Sequence, residues 1–453
     1  MELTRITIYR RILFTCFWIW AVFGFVQDEI LPFLVNLQSI VFVTLDIILL
    51  IMGLITARKT IDIVMGLSFI ALTAISTIFV NNLTLANYLN GFREFLPFVF
   101  MVPLLRFFLD NERYRDVFIR RFDKHLLIFL IIQVPCMVYQ FLKYGANDHG
   151  GGSMGNWFSG PISTLIYVTT FYLVQKRWDS EHYLKSVLQN KWYLLLLMPS
   201  FLNETKVSFV YFALFFAMLF RFDAKLIFKV ALASPLFVVA YYIAYNAYMS
   251  ATQAEEDSVD MSYLVYEYLS TNEVDLDDMI LFSEMLEHGD FGDDDDWSVD
   301  LPRMTKIVMM PEVLSSSNGG LLLGAGLSHF KGGTNVKQTK FAKEFHWILN
   351  GTQPFVFFVV MQIGLIGLLW MIVFFLQLFG FLEQKREHNT KLAAFLGLVA
   401  IVMFFYISAY RQPIYCLIFF FASMASHFPP KADKTDNGDA DAIESDADLE
   451  TAE

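Results

Sequence analysis

Residues 31–56 read LPFLVNLQSIVFVTLDIILLIMGLIT. An apolar run of this length exceeds the roughly 20 residues that a helix needs to cross the hydrocarbon core of a bilayer. β-Barrel strands are short and alternate polar with apolar positions, so the run predicts a helix rather than a strand. The chain around it has the same character: 56% of its 453 residues are hydrophobic and 17% are charged, too apolar a balance for a soluble fold of that length. The formal charge of −12 does not belong to the apolar part, because the acids concentrate between 255 and 300 and beyond 429. Cys16, Cys136 and Cys416 all fall within apolar runs, which implies no disulfide framework.

Working outward from 31–56, twelve apolar runs qualify as spans: 12–26, 31–56, 61–80, 92–109, 125–142, 160–175, 192–202, 207–220, 229–248, 354–382, 392–408 and 413–428. The seventh is the shortest and is broken by Pro199. The first follows Arg5, Arg10 and Arg11 as a secretion signal would, but no small-x-small cleavage site precedes Gln27, so it reads as an uncleaved helix.

Short cytoplasmic loops carry an excess of Lys and Arg, which tests the span count independently. With the N-terminus inside, the inner loops collect Arg58 and Lys59, the cluster from Arg113 to Lys124, Lys176 to Lys191, Arg221 and Lys225, and Lys385 to Lys391, whereas the short outer loops hold Lys143, Lys206 and Arg411. The sequence therefore predicts an all-α polytopic membrane protein of about twelve helices in a bacterial inner membrane, with both termini cytoplasmic. Residues 1–248 hold nine spans, 249–353 one large periplasmic loop, 354–428 three spans, and 429–453 an acidic cytoplasmic tail without apolar periodicity. A loop that long is expected to be functional.

Three segments of the second half fall in a telling order. Asn203-Glu204-Thr205-Lys206-Val207-Ser208 opens an apolar helix; Leu323-Gly324-Ala325-Gly326-Leu327-Ser328-His329-Phe330 lies late in the large loop; and Gly364-Leu365-Ile366-Gly367 lies inside the next span. A Gly-rich turn, Gly151 to Trp157, precedes the sixth span. Together these resemble the O-antigen polymerase and ligase family of membrane glycosyltransferases over roughly residues 150 to 425. Ligases of that family carry a His where this chain has Thr352, the nearest being His346. Polymerases carry an Arg and then a Gly in an outer loop at the spacing of Arg303 and Gly319, so the likeness favours polymerase.

The resemblance implies polymerisation of undecaprenyl-pyrophosphate-linked repeats into surface polysaccharide, with a chain-length regulator as a possible partner. Such a reaction displaces pyrophosphate from an anomeric carbon, and an Arg fork suits that leaving group. Arg303 is the first candidate, though the acids Asp293 to Asp296 and Asp300 are plain partners for it. Arg93 sits in the fourth apolar run, where a charge is costly unless it is paired or faces a polar cavity; the competing reading is an interfacial Arg paired with Glu94. Arg411 and Lys206 are further candidates for the anion, Gly319, Gly324 and Gly326 for contact with substrate, and His329 and His346 for a general base. The spacing of the histidines supports no metal site, no Walker or Rossmann fingerprint appears, and neither a cofactor nor a nucleic-acid partner is expected. The rivals are a ligase, a flippase for lipid-linked sugars, and a polysaccharide-binding regulator.

Overall fold

The computed structural model describes residues 2–145, 150–156, 158–179, 182–202, 207–220, 301–329, 339–349, 351–380 and 390–427. The ninth predicted span, the acidic half of the large loop with His288, His149, Lys206 and the tail lie outside these residues. All regular structure among the described residues is helical. Five helices there are long and apolar enough to cross a membrane: Thr4–Ile30, Pro32–Thr56, Thr60–Val80, Glu112–Tyr144 and Phe355–Leu378. Lys191–Leu202, Val207–Leu219, Thr390–Tyr406 and Pro413–Ala425 are apolar but shorter. The chain is an all-α membrane protein.

The first helices are α1 (Glu2–Phe25), α2 (Val35–Thr56), α3 (Thr60–Ala74), α4 (Leu85–Phe92), α5 (Leu96–Leu109), α6 (Glu112–Tyr144) and α7 (Ser159–Gln175). After α8 (Tyr183–Gln189), the seventh predicted span is divided, as Pro199 suggests, between α9 (Lys191–Leu195) and α10 (Pro199–Leu202), and is followed by α11 (Val207–Leu219). The described end of the large loop is itself helical, with α12 (Arg303–Ser315), α13 (Gly320–Leu323), α14 (Lys340–Glu344) and α15 (His346–Leu349). The chain then forms α16 (Phe355–Leu378), α17 (Thr390–Tyr406) and α18 (Pro413–Ala425). Helix α6 begins thirteen residues before the predicted fifth span, at Glu112 instead of 125, because the Asn111 side chain caps it, accepting from the Arg113 N–H.

Length sorts with position. In α6 the buried residues Phe118, Phe122, Leu126, Phe129, Gln133, Met137 and Gln140 form one stripe, and Ile128, Ile131, Val134, Val138 and Leu142 face outward. Shorter helices fill the middle: α7 is buried from Ser159 to Val174, α18 from Ile414 to Ala425, and α5 almost throughout. At about 1.5 Å per residue the 13-residue α18 spans only about 20 Å, which a helix screened from lipid by its neighbours tolerates. The N-termini of α5, α7 and α18 lie at the same end of the bundle, and there the short central helices leave room.

At the other end the Arg106 guanidinium lies 3.0 Å from the buried Asp62 carboxylate and Gln377 donates to Asp62 at 3.0 Å, while the more exposed Lys59 meets Asp110 at 3.0 Å.

Candidate functional site

A cavity of about 270 Å³ opens where α5, α7 and α18 begin, with Phe158 and Pro161, Arg93 and Glu94, and Ser408 to Pro413 around it, and with Phe42 and Asp46 of α2 closing one side. Its charges come in two pairs. Arg93 Nε donates to Asp46 Oδ2 at 3.2 Å, and Arg411 Nη2 donates to Glu94 Oε1. Both carboxylates are almost wholly buried, with side chains 4% exposed, while Arg93 and Arg411 keep 27% and 19% and so present their remaining N–H groups to the cavity. Arg411 has further support: its Nη1 donates to Gln353 Oε1 at 3.4 Å, and the guanidinium lies 4.5 Å over the Phe358 ring. Helices α7 and α18 begin at the same space, Pro161 and Pro413 of their first turns being among its lining residues, so the positive ends of two helix dipoles lie beside the two ion pairs.

Arg303 stands beside this wall. It opens α12, and its guanidinium is stacked 4.5 Å over the ring of Tyr406, one residue before the cavity residue Ile407. Its Nε is buried without a hydrogen-bond partner among the described residues. The next turn of α12 carries Lys306, fully buried, whose Nζ donates to the Thr352 carbonyl at 3.1 Å and so ties α12 to the strap that delivers Gln353 to Arg411.

The Gly-rich stretch serves another purpose. Helix α16 is broken at Gly364 (φ 68°, ψ −170°), which frees carbonyls that an unbroken helix would pair. Residues 323–328 dock into the break: Ala325 N donates to Met361 O at 2.9 Å and Gly326 N to Gln362 O at 3.0 Å. From the other side, the π-helical turn Ile75–Val80 after α3 contributes Ser76 Oγ to Leu323 O at 2.6 Å and accepts from Leu327 N at Thr77 Oγ1, at 3.1 Å, while Asn81 donates to Gly324 O at 2.9 Å. Gly324 and Gly326 have φ of 69° and 94°, and a Cβ at Gly324 would lie 2.7 Å from the Gln362 carbonyl carbon. Gly319 packs against the Gly324 carbonyl in the turn that begins this stretch. All three glycines make backbone contacts, and none lines the cavity.

The histidines are also elsewhere. His329 is buried, with Nε2 2.8 Å from Ala325 O and Nδ1 2.7 Å from Thr339 Oγ1, so both ring nitrogens brace the docked segment. His346 Nδ1 donates to Lys343 O at 2.9 Å, on the turn between α14 and α15. The Gly-rich turn before α7 is held in the same manner as the docked segment: Gln133 and Gln140 of α6 accept from Ser153 N at 2.9 Å and Gly152 N at 2.7 Å, and Asp28 accepts from Asn156 N at 2.7 Å.

No protein-family model matches this chain, and no curated protein does. The site stands on its own geometry. Of the residues picked out from sequence, Arg93 and Arg411 share one cavity, with Arg303 beside it. Asp46 and the pairing of Glu94 with Arg411 were not anticipated, although a lone acid inside the run 31–56 is by itself a sign of a polar interior.

Proposed function

We propose that this protein polymerises undecaprenyl-pyrophosphate-linked oligosaccharide repeats into surface polysaccharide on the outer face of the bacterial inner membrane. The observation that carries the reading is the cavity in which Arg93 and Arg411 are held on buried carboxylates where α7 and α18 begin. A pyrophosphate leaving group needs such an environment, since guanidinium forks and helix dipoles stabilise growing negative charge without reorganising. The lipid chain of the donor would lie along the apolar flank of the bundle while its headgroup reaches the cavity. Arg303, which opens the first described helix of the large loop, stands beside the cavity as a third cation. About twelve spans with both termini cytoplasmic bring this end of the bundle to the periplasm, where flipped repeats are found, and a chain-length regulator would act on the same face.

The test is the glycan ladder from lipid extracts and cell surface of a host lacking the gene, complemented with wild type, Arg303→Ala or Arg411→Ala. The wild type should restore long chains, and both variants should stop at one repeat. Full-length lipid-linked chains left unattached would instead indicate a ligase, and single repeats trapped on the cytoplasmic leaflet a flippase.

A further inference from the structure

Glycosyl transfer to a hydroxyl needs a group to take the proton, and neither histidine is in the cavity. Two carboxylates are, and they differ in what depends on them. Asp46 is the group that holds Arg93 among the described residues. Arg411 is held three ways, by Glu94, by Gln353 and by the face of Phe358, so it keeps its position if Glu94 lets go. Glu94 also sits on the one-turn 3₁₀ segment Arg93–Phe95 that leads into α5, where its carboxylate lies at the N-terminal mouth of that helix.

Resting on the polymerase reading, we propose that Glu94 is the general base and that the donor's pyrophosphate releases it from Arg411. The cavity sets two guanidinium groups against two carboxylates. A pyrophosphate entering it competes for Arg411 with a denser charge and more acceptor oxygens, and displaces the carboxylate. The carboxylate displaced from Arg411 then stands beside the bound donor, where its oxygens can accept the acceptor's hydroxyl proton. In the step itself the acceptor hydroxyl oxygen bonds to the anomeric carbon, and the bond from that carbon to the pyrophosphate oxygen breaks, its electron pair leaving with the pyrophosphate. The hydroxyl proton passes to Glu94. Donor binding thus creates the base, and an acceptor meeting an empty site is not activated.

The experiment separates binding from turnover, using full-length protein in nanodiscs, undecaprenyl pyrophosphate as the binding probe and chain extension as the second readout. Glu94→Gln should bind the probe at wild-type affinity or tighter, because a competitor for Arg411 is gone, and lose extension by about a hundredfold or more. Arg411→Ala and Asp46→Asn should both weaken probe binding. Glu94→Asp, with the carboxylate drawn back, should bind the probe and extend slowly, and it carries the test if the Gln variant does not fold. Extension at wild-type rate by either Glu94 variant overturns the assignment. So does loss of probe binding in Glu94→Gln, which would make Glu94 a support for Arg411. A wild-type protein that does not bind the probe removes the polymerase reading itself.

Discussion

At His329 the partners fix the tautomer: Nε2 faces the Ala325 carbonyl and must carry the proton, so Nδ1 accepts from the Thr339 hydroxyl. Burial pushes this imidazole down to about 4 from 6.5, only partly opposed by the Ala325 carbonyl. The folded value lies below the unfolded one, so the unfolded chain takes the proton first. The stability that neutral His329 contributes is complete above about 6.5 and is lost as pH falls from there toward about 4. The melting temperature of the purified protein should therefore fall between pH 7 and pH 5, and His329→Gln, which can keep both hydrogen bonds, should flatten that slope. An unchanged slope in the variant would mean that other groups set it. The same residue shows the limit of reading chemistry from residue type, since a histidine beside a Gly-rich stretch looks like a base until its two partners are known. Arginine was more legible. A guanidinium within an apolar run must find a carboxylate or a polar cavity, and Arg93 found both. What sequence could not supply was the crossing of partners, with Arg93 on Asp46 and the adjacent Glu94 on Arg411, because that depends on which helices touch.

On the scale of elements, the Gly-rich stretch and the Gly364-to-Gly367 motif are two halves of one joint. They read as separate motifs because apolar periodicity reports the face of a helix and carries nothing about which distant segment meets it. The Gly364 break leaves backbone groups that must be satisfied inside the bundle, and residues 323–328 satisfy them. A Cβ on Gly364 would strike the Leu322 carbonyl, and one on Gly324 would crowd the Gln362–Gly364 backbone; both sites also need positive φ. Gly364→Ala or Gly324→Ala should each cost roughly 3 kcal/mol or more, from steric overlap plus strain at a positive φ. Because either change opens the same joint, the double variant should be worse than the more damaging single one by only about 1 kcal/mol, a sub-additivity that thermal melts of the four proteins would measure. Full additivity would show that the two glycines act in separate places. A failure of this joint should also reach the cavity indirectly, since α16 carries Phe358 under Arg411.

For the molecule as a whole, ion pairs close both ends of the bundle. The cavity's end carries Glu29 paired with Lys143 at 2.6 Å, and the opposite end carries Lys59 with Asp110 and Lys176 with Asp123. The helical class and the long spans could be read in the sequence because lipid imposes run length directly on it. The short helices α11 and α18 were legible as apolar runs too, 207–220 and 413–428, but run length carries nothing about which of them its neighbours screen from lipid. The polymerase reading puts the cavity outside, and labelling can test that. Cys16, Cys136 and Cys416 are free thiols, to be replaced by Ser or Ala so that a single introduced cysteine reports alone. Arg58→Cys sits in the exposed turn between α2 and α3, and Leu85→Cys, at a position 61% exposed, sits at the start of α4 on the way to Arg93. A membrane-impermeant maleimide added to intact spheroplasts should label the cysteine at 85 and reach the one at 58 only after permeabilisation. Both reacting alike would mean that α3 and its π-helical extension do not cross. The reverse order would turn the cavity toward the cytoplasm, away from any flipped lipid-linked repeat, and its arginines would then have to serve a cytoplasmic substrate.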